Sequence, residues 1–73
     1  MASFSERIKE LRRKHGMTQD ALGKIIGVTR DSIYTYEKGI NYPEVRNLII
    51  LADHFDVSID YLVGRTDNPE INR

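Results

Sequence analysis

The tightest constraint on this chain is a pair of glycines four residues apart, Gly23 and Gly27, inside a stretch from Gln19 to Lys38 that otherwise reads as two short helices. Glycine in a helix interior costs about 1 kcal/mol relative to alanine, so Gly23 asks for a packing reason. The turn between the two segments is too short for them to lie antiparallel, so they cross. A residue without a side chain at the crossing lets the two backbones meet, and Gly27 offers the positive φ that turns the chain sharply. Leu22, Ile26, Val28, Ile33 and Tyr36 then fall where such a crossed pair has to be apolar to seat on other helices. This is the pattern of a helix-turn-helix.

The rest of the chain has to supply those other helices, and 73 residues without a cysteine leave room for one small core held by packing alone. Phe4, Ile8 and Leu11 recur at helical spacing and predict an amphipathic helix over 5–15, stopped by Gly16. Thr18 and Thr29 offer N-cap oxygens for the second and third helices, with Asp20 and Asp31 in their first turns near the positive end of the helix dipole. Gly39 ends the third helix near Lys38, and the loop 40–43 leads into a fourth helix over 44–55 that is expected to bury Val45, Leu48, Ala52 and Phe55. Ser58 caps a short fifth helix carrying Ile59 and Leu62, closed by Gly64. Residues 1–64 thus read as one all-α, five-helix domain, and 65–73 as a polar, weakly ordered tail.

The charges cancel over the whole chain but not along it. Residues 1–40 carry eight basic and five acidic side chains, and residues 41–73 carry three and six. A chain polarised in this way can turn one basic face toward a polyanion, although the same charges also serve simply to solvate a surface. The longest apolar run, Leu48 to Ala52, is far short of a membrane span, and Met1 to Lys14 has no apolar core of a signal peptide, which points to the cytoplasm. A thiol enzyme and a zinc finger are excluded by the missing cysteines, and a large substrate cavity by the size of the core. Asp53, His54 and Ser58 lie near one another in the sequence, but they read as helix surface and helix cap rather than as a catalytic triad. No metal, cofactor or small-molecule ligand is indicated.

The order and spacing of several pieces identify a family. Arg7 to Arg12, Gly16-Met17-Thr18-Gln19, Gly27-Val28-Thr29-Arg30, Tyr36-Glu37-Lys38-Gly39, Pro43 and Val57 to Gly64 together resemble the Cro and phage-repressor-like helix-turn-helix proteins, the XRE family, from about Arg7 to Gly64. The resemblance implies a lambda-repressor-like domain that places its third helix in the major groove. The helical period agrees: with Ile33, Tyr36 and Glu37 inward, Arg30, Asp31, Tyr34, Thr35 and Lys38 face out. Arg30 is the first candidate for base readout, through a bidentate contact to guanine O6 and N7. Thr35 suits a thymine methyl or a base acceptor, and Ser32 is a shorter-reach candidate. Asp31 either accepts from cytosine N4 or favours the helix start and orients Arg30. Tyr34 packs on a thymine methyl or sugar, or bonds a phosphate.

Phosphate contacts are expected from Thr18 and Gln19 at the start of the second helix, and the resemblance adds Lys38, Asn41 and Tyr42 after the third. Arg13, Lys14 and Lys24 act at longer range or merely solvate. The resemblance also implies a partly buried ion pair between Arg12 and Glu37, joining the first and third helices. Two further isoleucines, Ile25 and Ile50, are expected at the surface, and Ile50 with Tyr61 and Val63 lies where relatives self-associate. The function implied is a dimeric, sequence-specific regulator of transcription bound to double-stranded operator DNA, a repressor of bacterial or phage type. The competing reading is an antitoxin or protein-interaction adaptor that keeps the fold without reading DNA.

Overall fold

The computed structural model describes residues 2–71, which form five helices: α1 Phe4–Lys14, α2 Gln19–Ile26, α3 Arg30–Glu37, α4 Val45–Phe55 and α5 Ile59–Leu62. Four of the five begin at a hydroxyl residue in extended conformation. Ser3, Thr18, Thr29 and Ser58 accept the backbone N–H of Glu6, Ala21, Ser32 and Tyr61, satisfying donors that a helix start leaves free. At α1 the cap is reciprocal, because Glu6 reaches back to the N–H of Ser3 at 3.2 Å. The exception is α4, which starts after the buried Pro43 with Glu44 as N-cap and no side-chain cap bond.

Each helix contributes one side chain to the solvent-free centre: Ile8, Leu22, Ile33, Leu51 and Leu62 are fully buried. Phe4, Leu11, Ile26, Tyr36, Ala52, Phe55 and Val57 surround them. Three of the four α4 residues expected inward, Leu48, Ala52 and Phe55, face the core, and Val45 does not. Val45 is 70% exposed, and the inward positions are Leu51, Ala52 and Phe55, with Leu48 half-buried. The run Leu48 to Ala52 is apolar at every position, so hydrophobic spacing alone cannot choose its inward side; packing chooses Leu51. Ile59 on α5 is also exposed, whereas Leu62 is enclosed.

The segment after Gly64, expected to be weakly ordered, runs back along the body over its described part. Arg65 N–H bonds to Asp60 O at 2.8 Å, and Pro69 O accepts the N–H of Ser58 at 2.9 Å. Between them Asp67 accepts from Arg7 Nη2 at 3.1 Å. Arg7 is 4% exposed, and its guanidinium lies 3.7 Å above the ring of Tyr61. Residues 72 and 73, also assigned to the tail, lie outside the described residues. No helix among the described residues is long and apolar enough to cross a membrane.

Candidate nucleic-acid interface

The two helices that carry the candidate interface meet where the glycine spacing requires it. A Cβ on Gly23 would lie 2.7 Å from Val28 O and 3.2 Å from the carbonyl carbon of Thr29, so only glycine fits this crossing without displacing backbone. Gly27 ends α2 in the left-handed region at φ 75°, and Val28 N–H closes back on Gly23 O at 2.9 Å. The Thr29 cap follows at once. The angle of α3 against α2 is therefore fixed by a contact between backbones rather than by adjustable side chains.

A buried ionic clamp fixes α3 from its other end. Arg12 Nε donates to Glu37 Oε2 at 2.6 Å and Arg12 Nη2 to Glu37 Oε1 at 3.0 Å, a two-point fork between α1 and α3. The Glu37 side chain is only 4% exposed. Arg12 Nη1 also holds Met17 O at 2.8 Å, just before the cap of α2. Gln19 Nε2 completes the cluster with a bond to Glu37 Oε1 at 3.2 Å. The hydrogen bond to Glu37 holds the Arg12 guanidinium above its ordinary pKa, so the cation persists at any pH at which the fold exists.

With Ile33 and Tyr36 buried, α3 turns Arg30, Asp31, Tyr34 and Lys38 to solvent, while Ser32 and Thr35 are half-buried at its flank. Lys38 Nζ lies 5.6 Å from the centre of the Tyr34 ring, one turn earlier, so these two present as a unit. Thr35 Oγ1 donates to Ser32 O at 2.7 Å and Ser32 Oγ lies 3.1 Å from Thr29 Oγ1. The Thr35 hydroxyl proton is thereby taken, and its methyl is left as the outward contact. Asp31 stands in the first turn without capping it, since Thr29 does so, and it makes no ion pair with Arg30.

The flanking residues are differently engaged. Thr18 is occupied as the cap of α2, and the Gln19 amide nitrogen is turned to Glu37 rather than outward, leaving its carbonyl oxygen and the backbone N–H at the helix start. Asn41 Oδ1 accepts the N–H of Tyr42, and both residues are exposed in the loop after α3, where the Tyr42 ring lies 5.9 Å from that of Phe4. Among the described residues no group of three His, Cys, Asp or Glu side chains is placed to hold a metal ion. Ser58 Oγ is used as a helix cap.

A family model described as helix-turn-helix matches residues 8–62. The chain belongs to the helix-turn-helix family, in its XRE form. It is similar to the HTH-type transcriptional regulator YobD of Bacillus subtilis, 37% identical over 92% of this chain and 60% of that protein. An HTH-type regulator of Archaeoglobus fulgidus is 43% identical over 77% of this chain and 80% of its own length. Among solved structures, the P22 c2 repressor in complex with a synthetic operator superposes with a TM-score of 0.80 at 35% identity, covering 86% of this chain and 96% of that one. The chain spans between half and three-fifths of the length of its Bacillus relatives.

Within this helix-turn-helix domain the sequence reading misses the burial of Arg7, which is 4% exposed. The signal is weak, because its anionic partner Asp67 lies sixty positions away. Of the residues assigned to self-association, Ile50, Tyr61 and Val63 are half-buried against the core, and the Tyr61 ring is covered by Arg7. The exposed isoleucine of α4 is Ile49, at 44%, while Ile25 on α2 is exposed at 38%.

Proposed function

We propose that this chain is a sequence-specific DNA-binding regulator of transcription that sets α3 into the major groove of an operator as one half of a dimer. One observation carries the reading: the side of α3 opposite Ile33 and Tyr36 is open, cationic at both ends through Arg30 and Lys38, and held rigidly by the Gly23 crossing and the Arg12–Glu37 clamp. Arg30, first in the helix, reads a guanine; Tyr34 and the Thr35 methyl contact thymine methyls; Ser32 and Asp31 complete the reading edge. Thr18, the Gln19 backbone N–H, Lys38, Asn41 and Tyr42 hold flanking phosphates. The solved P22 c2 repressor chain, similar over 96% of that chain, is in complex with a synthetic operator, which supports the same use of the fold here.

The longest extent of the molecule is 31 Å, less than the 34–36 Å or so between half-sites one helical turn apart, so one copy serves one half-site. Occupying a promoter would repress it. The chain does no chemistry, takes no cofactor, and works in the cytoplasm on the nucleoid. Selection of bound duplexes from a random pool, followed by salt titration on the selected and on a scrambled duplex, tests the reading. A reader of DNA gives a preference of at least about 10³ and a log–log salt slope of several units. A protein-interaction adaptor on the same fold gives neither.

A further inference from the structure

The open face of α3 carries a carboxylate that the fold itself does not use. Asp31 is exposed in the first turn, but the cap is Thr29, and Asp31 makes no ion pair with any described residue. On a face turned to a polyanion a carboxylate weakens binding at every sequence, unless a base donates to it. The major-groove edge offers two such donors, the N6 amine of adenine and the N4 amine of cytosine. Adenine sets its N7 acceptor beside that amine, against the carboxylate. Cytosine has only the C5 carbon there, so cytosine is the base that fits.

The side chain next to Asp31 then meets the C5 position. Tyr34 follows Asp31 by three residues and Arg30 by four, the two spacings at which side chains on a helix are neighbours. The three share an arc of about 100° around α3, with Tyr34 between the other two. Its ring is 47% exposed, and Lys38 Nζ lies 5.6 Å from the ring centre on the following turn. The Thr35 hydroxyl proton is engaged by Ser32 O at 2.7 Å, so it does not compete for the base edge. An aromatic wall at C5 favours a methyl group there.

We infer that α3 recognises 5-methylcytosine beside a guanine: Arg30 takes guanine O6 and N7, Asp31 takes the cytosine N4 amine, and Tyr34 covers the C5 methyl. The inference rests on the DNA reading proposed above and names the base. Thymine carries the same methyl but sets its O4 where cytosine has the amine, so acceptor meets acceptor at Asp31 and thymine is the weaker occupant. Unmethylated cytosine satisfies Asp31 and leaves the ring without its contact. The duplex is thus read for a covalent mark as well as for its sequence, and cytosine methylation strengthens binding.

Selection by the full chain from two random pools, one made with cytosine and one with 5-methylcytosine throughout, locates the half-site, and the position that Arg30→Ala relaxes marks the guanine. At the pyrimidine beside it, cytosine, 5-methylcytosine, thymine and uracil are compared by competition on a duplex with one half-site. The parent binds 5-methylcytosine about fourfold more tightly than cytosine, and thymine about fourfold more tightly than uracil, since each pair differs by one methyl group. It also binds 5-methylcytosine at least about fivefold more tightly than thymine. Tyr34→Ala removes both methyl preferences and Tyr34→Phe keeps them. Asp31→Ala removes the preference for 5-methylcytosine over thymine and tightens binding to a scrambled duplex. Both side chains are exposed, so these variants should melt with the parent. Equal binding of cytosine and 5-methylcytosine, thymine bound as tightly as 5-methylcytosine, or a methyl preference that survives Tyr34→Ala overturns the proposal and leaves the DNA reading standing. If neither pool yields a preferred duplex, the DNA reading falls and takes this inference with it.

Discussion

Three residues, Gly23, Arg12 and Glu37, decide whether α3 is aimed. Gly23→Ala drives a methyl to 2.7 Å from Val28 O, a backbone atom that cannot rotate away. The α2–α3 crossing has to open, at a cost of about 1–3 kcal/mol by analogy with overpacked cores, although alanine is otherwise the better helix former. Urea melts should show the midpoint falling; a rise would mean the crossing is not tight. Glu37→Ala is harsher, because it leaves the Arg12 cation nearly enclosed with only Met17 O and solvent to answer it. The expected loss is about 3–5 kcal/mol, most of the stability of a domain this small. Glu37→Gln retains acceptor and shape and should lose less. If both variants melt like the parent, the clamp does not hold the fold.

At the level of the helix the two ends of α3 have different jobs. Arg30→Ala should relax preference at one or two base pairs and cost about 1–3 kcal/mol on the selected duplex alone, whereas Lys38→Ala should weaken selected and scrambled duplexes alike and reduce the salt slope by about one. Competition binding at two salt concentrations separates these outcomes. At α1 the capping box makes stability sensitive to acid. Hydrogen bonds from the backbone N–H and then the hydroxyl of Ser3 hold the Glu6 carboxyl below its usual value of 4.5. A lowered native pKa contributes stability that is complete above that value and lost as pH falls through the lowered one. Glu6→Gln should therefore flatten the fall of Tm below about pH 4.5, as scanning calorimetry across pH 2–6 would measure. The caps at Thr18, Thr29 and Ser58 are read from the sequence; the Ser3–Glu6 box, a Ser-x-x-Glu, is there to be read and is missed. The place of Leu51 on α4 is not legible there, since five consecutive apolar residues give no contrast between inside and outside. That ambiguity hides both the burial of Leu51 and the difference between the two isoleucines, Ile49 exposed and Ile50 half-buried against the core.

Over the whole molecule, what escapes the sequence is the closure between its two ends. A residue's partner sixty positions away leaves no local trace, so Arg7 reads as one more surface cation and residues 65–71 as loose polar chain. In the fold the two complete each other. The Arg7 guanidinium lies between the Tyr61 ring and Asp67, and its Nε has no hydrogen-bond partner among the described residues. Asp67 is 71% exposed, so the pair is screened on one side and is worth less than the Arg12–Glu37 clamp. Asp67→Ala should accordingly cost about 1 kcal/mol, and less in molar salt. Arg7→Ala should cost more, because it also removes the packing on Tyr61 and empties a buried site. Removing 65–73 takes away Asp67 together with the carbonyl of Pro69 that satisfies Ser58 N–H. The truncated chain should melt below the Asp67→Ala variant, and the Ser58 amide should exchange faster with solvent. Since these contacts touch α1 and α5 rather than α3, affinity for a single half-site at temperatures well below melting should stay at the parent value. A truncation that keeps full stability would make the segment an ornament of the fold, and one that alters half-site affinity would place it at the duplex.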